Sequence, residues 1–334
     1  MILPALFVGG LFYVTFTREP DAPQQLVIQG EALGTTWMVK SVEPPNEDSE
    51  QLLRQIVETA LGEVDQQMST YRDDSELMAF NRATSLEGVG VSTALAAVVQ
   101  EAIQIGEQSQ GAFDVTIGPA VRAWGFGPDN RRVPPADGWM EQLTSHLGQD
   151  KIRLDGDKLY KLHPEVEIDL SAIAKGYAVD LVVERLMSAG RQNLMAEVGG
   201  EIVARGQNPR GETWRLGIET PTERGRDVYR VVSLHNASMA TSGDYRNYYE
   251  VEGERMSHLI DPRTLRPIEH KLASVTVVAD RCSTADAWAT GLSVLGMPEG
   301  HEAAERHSLA AVFIVRSDDG GFITQTTSAF DALE

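Results

Sequence analysis

The spacing of apolar residues predicts four long helices. Between residues 49 and 68 the apolar positions recur every three or four residues, as Leu52, Leu53, Ile56, Val57, Ala60, Leu61 and Val64. This spacing is typical of an amphipathic helix. The same pattern predicts helices over residues 93–108, 175–188 and 283–295. The run Asp73-Asp74-Ser75-Glu76 is typical of a helix start, because acidic side chains favour the N-terminal end of the helix dipole.

Short runs of β-branched and aromatic residues predict strands between these helices. They cover residues 26–29, 35–41, 151–154, 158–162, 194–204, 214–219, 229–235, 274–278, 310–315 and 322–327. Hairpin turns are indicated at Asp155-Gly156-Asp157, at Glu252-Gly253 and over residues 318–321, and a loop over 125–135. Strands and helices do not alternate regularly. The pattern therefore predicts an α+β fold of mixed or antiparallel sheets with packed helices, in one large domain of one or two lobes.

The N-terminus carries a separate signal. Residues 1–16 are apolar and uncharged, and residues 18–23 are polar and rich in proline. Sixteen residues fall short of the ~20 that span a bilayer, but they suit a signal segment or a membrane anchor. We expect a hydrophobic signal or anchor with its linker over residues 1–23, followed by the folded domain over 24–334. The alternative interpretation is a buried first helix.

The amino-acid composition excludes some classes of function. The 334 residues include 29 basic and 49 acidic side chains, a formal net charge of −20. This acidic balance argues against a nucleic-acid-binding protein, which needs a cationic surface. Hydrophobic residues make up 42% and charged residues 23%, which indicates a folded globular chain. The single cysteine, Cys282, excludes an internal disulfide and a cysteine-rich zinc site.

One predicted helix carries candidate metal ligands. Asp286 and Thr290 are four residues apart and share a helix face, while Ser283 is a suitable N-cap. A carboxylate and a hydroxyl stacked in this way suit a hard cation such as Mg²⁺. The alternative is an ordinary aspartate in the first turn, with a threonine that bonds back to a carbonyl.

Three further segments could contribute chemistry. Residues 169–176 read as a strand end, a tight turn and a helix start, where backbone amides can cradle a phosphate beside Lys175. The alternative is a plain loop with a capping aspartate. His258 is a candidate general base, or else a structural histidine. Gly111-Ala112-Phe113-Asp114 and Gly199-Gly200-Glu201 are turns where the backbone could approach a ligand closely. Neither a dinucleotide-binding GxGxxG motif nor a P-loop occurs.

Taken in order, these segments resemble the ApbE family of FAD:protein FMN transferases. The resemblance runs from about Leu33 to the last predicted hairpin. It is carried by Gly34-Thr35-Thr36, Met68-Ser69-Thr70-Tyr71, Gly111-Ala112-Phe113-Asp114, Gly199-Gly200-Glu201, Thr241-Ser242-Gly243-Asp244-Tyr245 and the stretches 169–176, 257–262 and 285–290. It implies the ApbE-type α+β fold.

The resemblance also implies an activity and a location. Such an enzyme binds FAD and Mg²⁺, transfers FMN to a threonine or serine hydroxyl of a target protein through a phosphoester bond, and releases AMP. The targets would be flavin-carrying subunits of membrane redox complexes, with an acceptor motif like Asp-Gly-x-(Ser/Thr)-(Gly/Ala)-Ala-Thr. We expect the chain on the periplasmic side of the bacterial inner membrane, anchored or exported through its N-terminus.

Residue roles follow from the same resemblance. The positions that match metal ligands are Asp286, Thr290, the backbone carbonyl of Ala172, and Ser283. The positions that match FAD contacts are Tyr71, Ala112, Phe113, Asp114, Asp169, Lys175 and Ile260. His258 matches a histidine near the pyrophosphate and is the expected base, with Asp286 as the rival.

Two other functions stay open from the sequence. The same site could act as a Mg²⁺-dependent FAD pyrophosphatase that produces FMN and AMP, with water in place of the target hydroxyl. A non-catalytic periplasmic FAD-binding protein is the second alternative. The presence of both Asp286 and Thr290 favours an enzyme, because a simple binding protein has no need of a metal.

Overall fold

A computed structural model describes residues 25–42, 49–127, 131–136, 138–222, 227–245 and 247–333. The segment expected to be a signal or anchor, residues 1–23, lies outside these ranges, so its prediction is untested. Within the described ranges, the structure contains no helix with the length and apolar character needed to cross a membrane.

The four predicted long helices and the helix start at residues 73–76 are confirmed, and the described residues also form four short helices that the pattern did not predict. The helices are α1 (Ser49–Met68), α2 (Glu76–Arg82), α3 (Thr93–Gln108), α4 (Gly118–Ala123), α5 (Trp139–Thr144), α6 (Ala174–Ser188), α7 (Cys282–Leu295), α8 (Glu299–Arg306) and α9 (Ser328–Asp331). Ser75 and Ser92 accept hydrogen bonds from the first-turn amides of α2 and α3, which fixes where both helices begin.

The strands build a large sheet and several small ones. They are β1 (Leu26–Ala32), β2 (Thr35–Ser41), β3 (Val89–Gly90), β4 (Ile152–Asp155), β5 (Lys158–Lys161), β6 (Leu194–Val198), β7 (Glu201–Arg205), β8 (Trp214–Glu219), β9 (Val228–Leu234), β10 (Ser238–Gly243), β11 (Tyr248–Val251), β12 (Glu254–Ser257), β13 (Ile260–Asp261), β14 (Arg266–Pro267), β15 (Leu272–Ala279), β16 (Ala310–Arg316) and β17 (Phe322–Thr326). Eight of them form one antiparallel sheet in the order β1-β2-β6-β7-β10-β15-β16-β17. The predicted α+β fold is confirmed.

Both faces of the large sheet are buried. Along β16, Ala311 and Phe313 join the main core with α1, α3, α6 and α7, while Val312 and Ile314 join a second core with the β8–β9 hairpin and α9. This division follows from the period of two in a strand, which sends successive side chains to opposite faces. Seven of the eight residues of β15 are buried, because neither face of this central strand meets water.

Two predicted details are wrong. The strand expected over residues 194–204 is a hairpin of β6 and β7, which turns at Gly199 and Gly200 with φ of 61° and 101°. A two-residue turn of this kind needs positive φ at both positions, which glycine adopts without strain. Ser283 is not the N-cap of α7, because the helix begins at Cys282 and Arg281 is the capping position.

Candidate active site

A cavity of about 750 Å³ opens where α6, α7, β10 and the loop after α3 meet. Except for Ser283, every residue predicted for the site lines it: Tyr71, Ala112, Phe113, Asp114, Asp169, Ala172, Lys175, His258, Ile260, Asp286 and Thr290. These positions span more than 200 residues of the chain. The tertiary structure therefore brings the predicted site residues into one place, within the 300–1,000 Å³ usual for ligand pockets.

The crossing of α6 and α7 positions the central charged groups. Gly176 lies so close to α7 that a Cβ built on it would be 2.4 Å from the carbonyl oxygen of Cys282. At this crossing the Gly176 amide donates to Asp286 Oδ2 at 3.1 Å. Asp180, one turn further along α6, accepts from the amides of Cys282 at 2.9 Å and Ser283 at 3.0 Å. Asp180 thus caps α7 in place of a side chain from its own segment.

Three ionisable groups meet beside this crossing. Lys175 Nζ lies 2.9 Å from Glu201 Oε1 and 3.5 Å from Asp286 Oδ2. Burial disfavours the charge on Lys175, but the Asp286 and Glu201 carboxyls outweigh burial and raise its pKa above the ordinary value. Burial raises the pKa of Glu201 to about 8, against the opposing effect of Lys175. The raised pKa of Glu201 therefore favours its protonated form near neutral pH, while Lys175 stays cationic.

The donor set around Asp286 fits a hard divalent cation. The Gly176 amide lies in the first turn of α6, where it has no acceptor within the helix, and it donates to Asp286 Oδ2. Among the described residues no N–H donates to the Ala172 carbonyl, which lies just before this helix, and no donor contacts Asp286 Oδ1. Thr290 lies one turn further along α7 and also lines the cavity. A carbonyl, a carboxylate and a hydroxyl are the oxygen ligands that Mg²⁺ accepts.

Ser283 is placed elsewhere. Its hydroxyl donates to Glu101 of α3, at 3.1 and 3.0 Å from the two carboxylate oxygens, and its side chain is fully buried. It does not line the cavity. Ser283 therefore lies outside the metal donor set, and its hydrogen bonds to Glu101 attach α7 to α3.

The predicted FAD-contacting positions differ in what they offer. Tyr71 is 73% exposed at the cavity, which leaves its ring free for stacking. Both oxygens of Asp114 are engaged: Oδ1 accepts from the Thr116 amide at 2.8 Å, and Oδ2 from the Gln149 amide at 3.2 Å. Asp169 Oδ1 accepts from the Ser171 amide at 2.9 Å. Through these hydrogen bonds, Asp114 and Asp169 hold the backbone that forms the cavity wall.

The remaining three positions are apolar and buried. Ala112, Phe113 and Ile260 are at most 4% exposed, so they offer the cavity mainly backbone and shape. The Phe113 amide donates to Ser109 Oγ at 3.1 Å, which holds this turn at the end of α3. Phe113 also packs on Gly291 of α7, where a Cβ would come within 3.3 Å.

His258 follows β12 and lines the cavity. Its Nδ1 lies 2.9 Å from the carbonyl oxygen of Asn247. Because a carbonyl only accepts, Nδ1 carries the hydrogen and Nε2 carries the lone pair. Burial lowers the pKa of His258 below its ordinary value, and the Asn247 bond and Asp244 offset this only in part. The ring is therefore neutral near pH 7 and able to accept a proton.

Sequence reasoning missed several residues of the site. The sequence marks Glu201 only through its glycine turn, yet its Oε1 accepts a hydrogen bond from Lys175 Nζ at 2.9 Å and its Oε2 is buried without a partner among the described atoms. Asn81 lines the cavity and exchanges two 2.8 Å hydrogen bonds with the backbone of Ile168. Arg122 and Glu167 form an ion pair in the wall. No local pattern marks these residues, because their partners are distant in the sequence.

Comparisons with known proteins identify the family of this chain. The model of the ApbE family matches residues 33–313. The chain is 43% identical over 308 residues to the FAD:protein FMN transferase of Vibrio cholerae, with 92% of each chain covered. It is 44% identical over 338 residues to that of Haemophilus influenzae, with 98% of this chain and 97% of the relative covered.

Solved structures give the same result. The flavin transferase ApbE from Vibrio cholerae superposes with a TM-score of 0.85 at 41% identity, covering 93% of this chain and 99% of that one. The apo form of the flavinyl transferase ApbE from Pseudomonas stutzeri superposes with a TM-score of 0.85 at 38% identity, covering 93% and 96%. The chain therefore belongs to the ApbE family and is, like these relatives, a transferase.

Proposed function

We propose that the chain transfers the FMN half of FAD to a serine or threonine hydroxyl of a target protein and releases AMP. The observation that carries this proposal is a single cavity that joins an oxygen donor set, a neutral histidine and an exposed tyrosine. In the reaction, the target oxygen forms a bond to the FMN phosphorus. The bond from that phosphorus to the bridging oxygen breaks, and AMP leaves with that oxygen.

Asp286, Thr290 and the Ala172 carbonyl would hold Mg²⁺, which supplies charge neutralisation for the phosphate oxygens. Lys175 adds a fixed positive charge beside them. Its ammonium persists because the Asp286 and Glu201 carboxyls raise its pKa. Phosphoryl transfer depends mainly on such positioning and charge stabilisation, and little on covalent help from the protein.

His258 is the proposed base for the target hydroxyl. Its Nε2 lone pair is available, because Nδ1 donates to the Asn247 carbonyl. The rival, Asp286, is a weaker candidate, because its Oδ2 already accepts from the Gly176 amide and faces Lys175. The proton taken from the hydroxyl would rest on the His258 ring while AMP leaves.

The flavin itself is proposed to stack on Tyr71 at the cavity entrance, where the ring also limits access of water to the phosphorus. Because water is the competing nucleophile, limiting its access favours transfer over hydrolysis. The proposed targets are flavin-carrying subunits of membrane redox complexes with an Asp-Gly-x-(Ser/Thr)-(Gly/Ala)-Ala-Thr motif. The proposed location is the periplasmic side of the bacterial inner membrane, with residues 1–23 as signal or anchor.

One reaction tests the proposal. The full-length chain in detergent is mixed with FAD, Mg²⁺ and a target domain that carries the acceptor motif with threonine. We expect the target to gain the mass of one FMN residue and to fluoresce on a denaturing gel. A chelator or Asp286→Ala should abolish the product, whereas Asp318→Asn, a change in an exposed surface ion pair, should not. Free FMN and AMP with an unlabelled target would show the pyrophosphatase, and intact bound FAD would show the binding protein.

The role of His258 has its own test. His258→Ala should keep the dissociation constant for FAD and lose transfer, because the ring acts on the target hydroxyl. In the unchanged chain, transfer should fall as the pH drops through the lowered pKa of His258, since protonation removes the Nε2 lone pair. An equal loss of FAD binding and of transfer would mean that the ring only supports the fold.

A further inference from the structure

A second group of side chains that could bind a metal ion lies outside the cavity lining. It consists of His146, which follows α5, and of His163 and Glu165, which follow β5. One ligand atom of each residue lies within 4.8 Å of those of the other two. Two separate segments of the chain thus converge on this point, and we call these three residues the histidine cluster.

The His146 ring is buried and forms no well-formed hydrogen bond with any of the described residues. Its side chain is 11% exposed and its ring stacks on that of His163, with centroids 5.6 Å apart. Its Nδ1 lies 3.4 Å from Ser145 Oγ and 3.6 Å from Glu165 Oε2. Both distances exceed the 2.7–3.2 Å of a good hydrogen bond. A buried imidazole beside a second imidazole and a carboxylate is an arrangement that a bound cation would satisfy.

We propose that the histidine cluster binds a divalent transition-metal ion of the zinc type. Imidazole nitrogens suit Zn²⁺, Co²⁺ and Ni²⁺, whereas Mg²⁺ takes oxygen ligands. Two histidines and one glutamate form a known zinc ligand set, with a fourth position left for water. The cluster therefore differs in metal preference from the oxygen donor set around Asp286.

The geometry needs only a local adjustment to close around an ion. Bonds of about 2.0–2.2 Å place tetrahedral ligand atoms about 3.4 Å apart. The Glu165 side chain is 72% exposed, so it can move toward the two rings. The Glu165 amide donates to His163 Nδ1 at 3.2 Å, a long bond that is given up if this nitrogen becomes the ligand. This competition favours a readily exchanged ion over a permanently bound one.

An ion in the histidine cluster would link two segments that shape the FAD cavity. Two and three residues after His146, the amides of Gly148 and Gln149 donate to Thr116 Oγ1 at 2.7 Å and to Asp114 Oδ2 at 3.2 Å. Two residues after Glu165, Glu167 ion-pairs with Arg122 in the cavity wall. The proposed ion would therefore act as a structural cross-link behind the cavity wall and would take no part in the transfer reaction.

Cobalt is the probe, because Co²⁺ bound by imidazole absorbs visible light. The protein used is the full-length Asp286→Ala variant in detergent, which lacks one oxygen donor of the cavity and keeps the histidine cluster. We expect it to bind one equivalent of Co²⁺ with a visible band and a higher melting temperature. Glu165→Gln, at an exposed side chain, and His146→Ala should each weaken this binding at least tenfold. His235→Ala, at an exposed histidine elsewhere, is the matched control and should leave it unchanged.

The proposal is wrong if a saturating excess of Co²⁺ produces no band in the Asp286→Ala chain. It is also wrong if the band persists at the same affinity in Glu165→Gln. Use of Glu165→Gln keeps the test decisive even where His146→Ala loses its fold. The result is independent of the transferase proposal, because the readout is metal binding and not activity.

Discussion

The Gly176→Ala substitution tests whether α6 and α7 can approach so closely only because Gly176 has no side chain. The added Cβ would lie 2.4 Å from the Cys282 carbonyl oxygen, 2.7 Å from its carbon and 2.8 Å from Ser283 Cα. All three are backbone atoms, so relief needs a shift of the helices by about 1 Å. Overpacking of this kind costs about 1–3 kcal/mol. The shift also weakens the hydrogen bond from Gly176 to the Asp286 carboxylate, which is worth about 1.5–3 kcal/mol.

The higher helix propensity of alanine offsets about 0.5–1 kcal/mol of this loss. The expected net loss is about 2–5 kcal/mol in the free energy of unfolding, a large part of the 5–15 kcal/mol usual for a domain. Urea denaturation followed by circular dichroism measures it. Gly62→Ala is the matched control, because Gly62 lies on the exposed side of α1 and its new Cβ meets nothing within 4 Å. There alanine should stabilise by about 0.5–1 kcal/mol. A loss below 1 kcal/mol for Gly176→Ala would refute the argument.

Three further predictions concern single side chains. In the folded protein Glu201 keeps its proton up to about pH 8, whereas its ordinary pKa is 4.5. In the presence of a chelator, the free energy of unfolding should therefore fall as the pH rises from about 4.5 to about 8. Glu201→Gln should flatten that part of a urea titration series. Tyr71→Asn, at a 73% exposed ring, should leave the melting temperature unchanged but raise the ratio of free FMN to labelled target, measured by chromatography. Asp180→Ala removes the acceptor for two amides of α7 and should destabilise by about 1–2 kcal/mol in urea; an unchanged midpoint would contradict this role.

Prediction from the sequence was most successful where local periodicity sets the structure. The helices over 49–68 and 93–108 were predicted with the bounds that the structure shows. Their apolar faces repeat at helical spacing, and a single buried face is sufficient to define such a helix. The hairpin of β6 and β7 was read as one strand, because the apolar runs on either side of Gly199-Gly200 look continuous until the positive φ of both glycines is known.

Motifs in the sequence also selected most of the residues that line the cavity. Asp286 and Thr290 were predicted to share a helix face, and both lie in the wall. Ser283, in the same helix, was grouped with them, but its hydroxyl bonds Glu101. Periodicity defines which residues share a face. It does not define what that face meets, and the packing of α3 against α7 decided the role of Ser283.

The sequence by itself determined the long helices, most strands, the α+β class and the family, because these depend on local periodicity and on the order of short motifs. Only the tertiary structure decided how Lys175, Glu201 and Asp286 share charge, and that the Gly176 amide donates to Asp286. It also decided that His146 meets His163 and Glu165. Hydrogen bonds and ion pairs act over about 3–4 Å in space, between residues whose separation along the chain carries no signal.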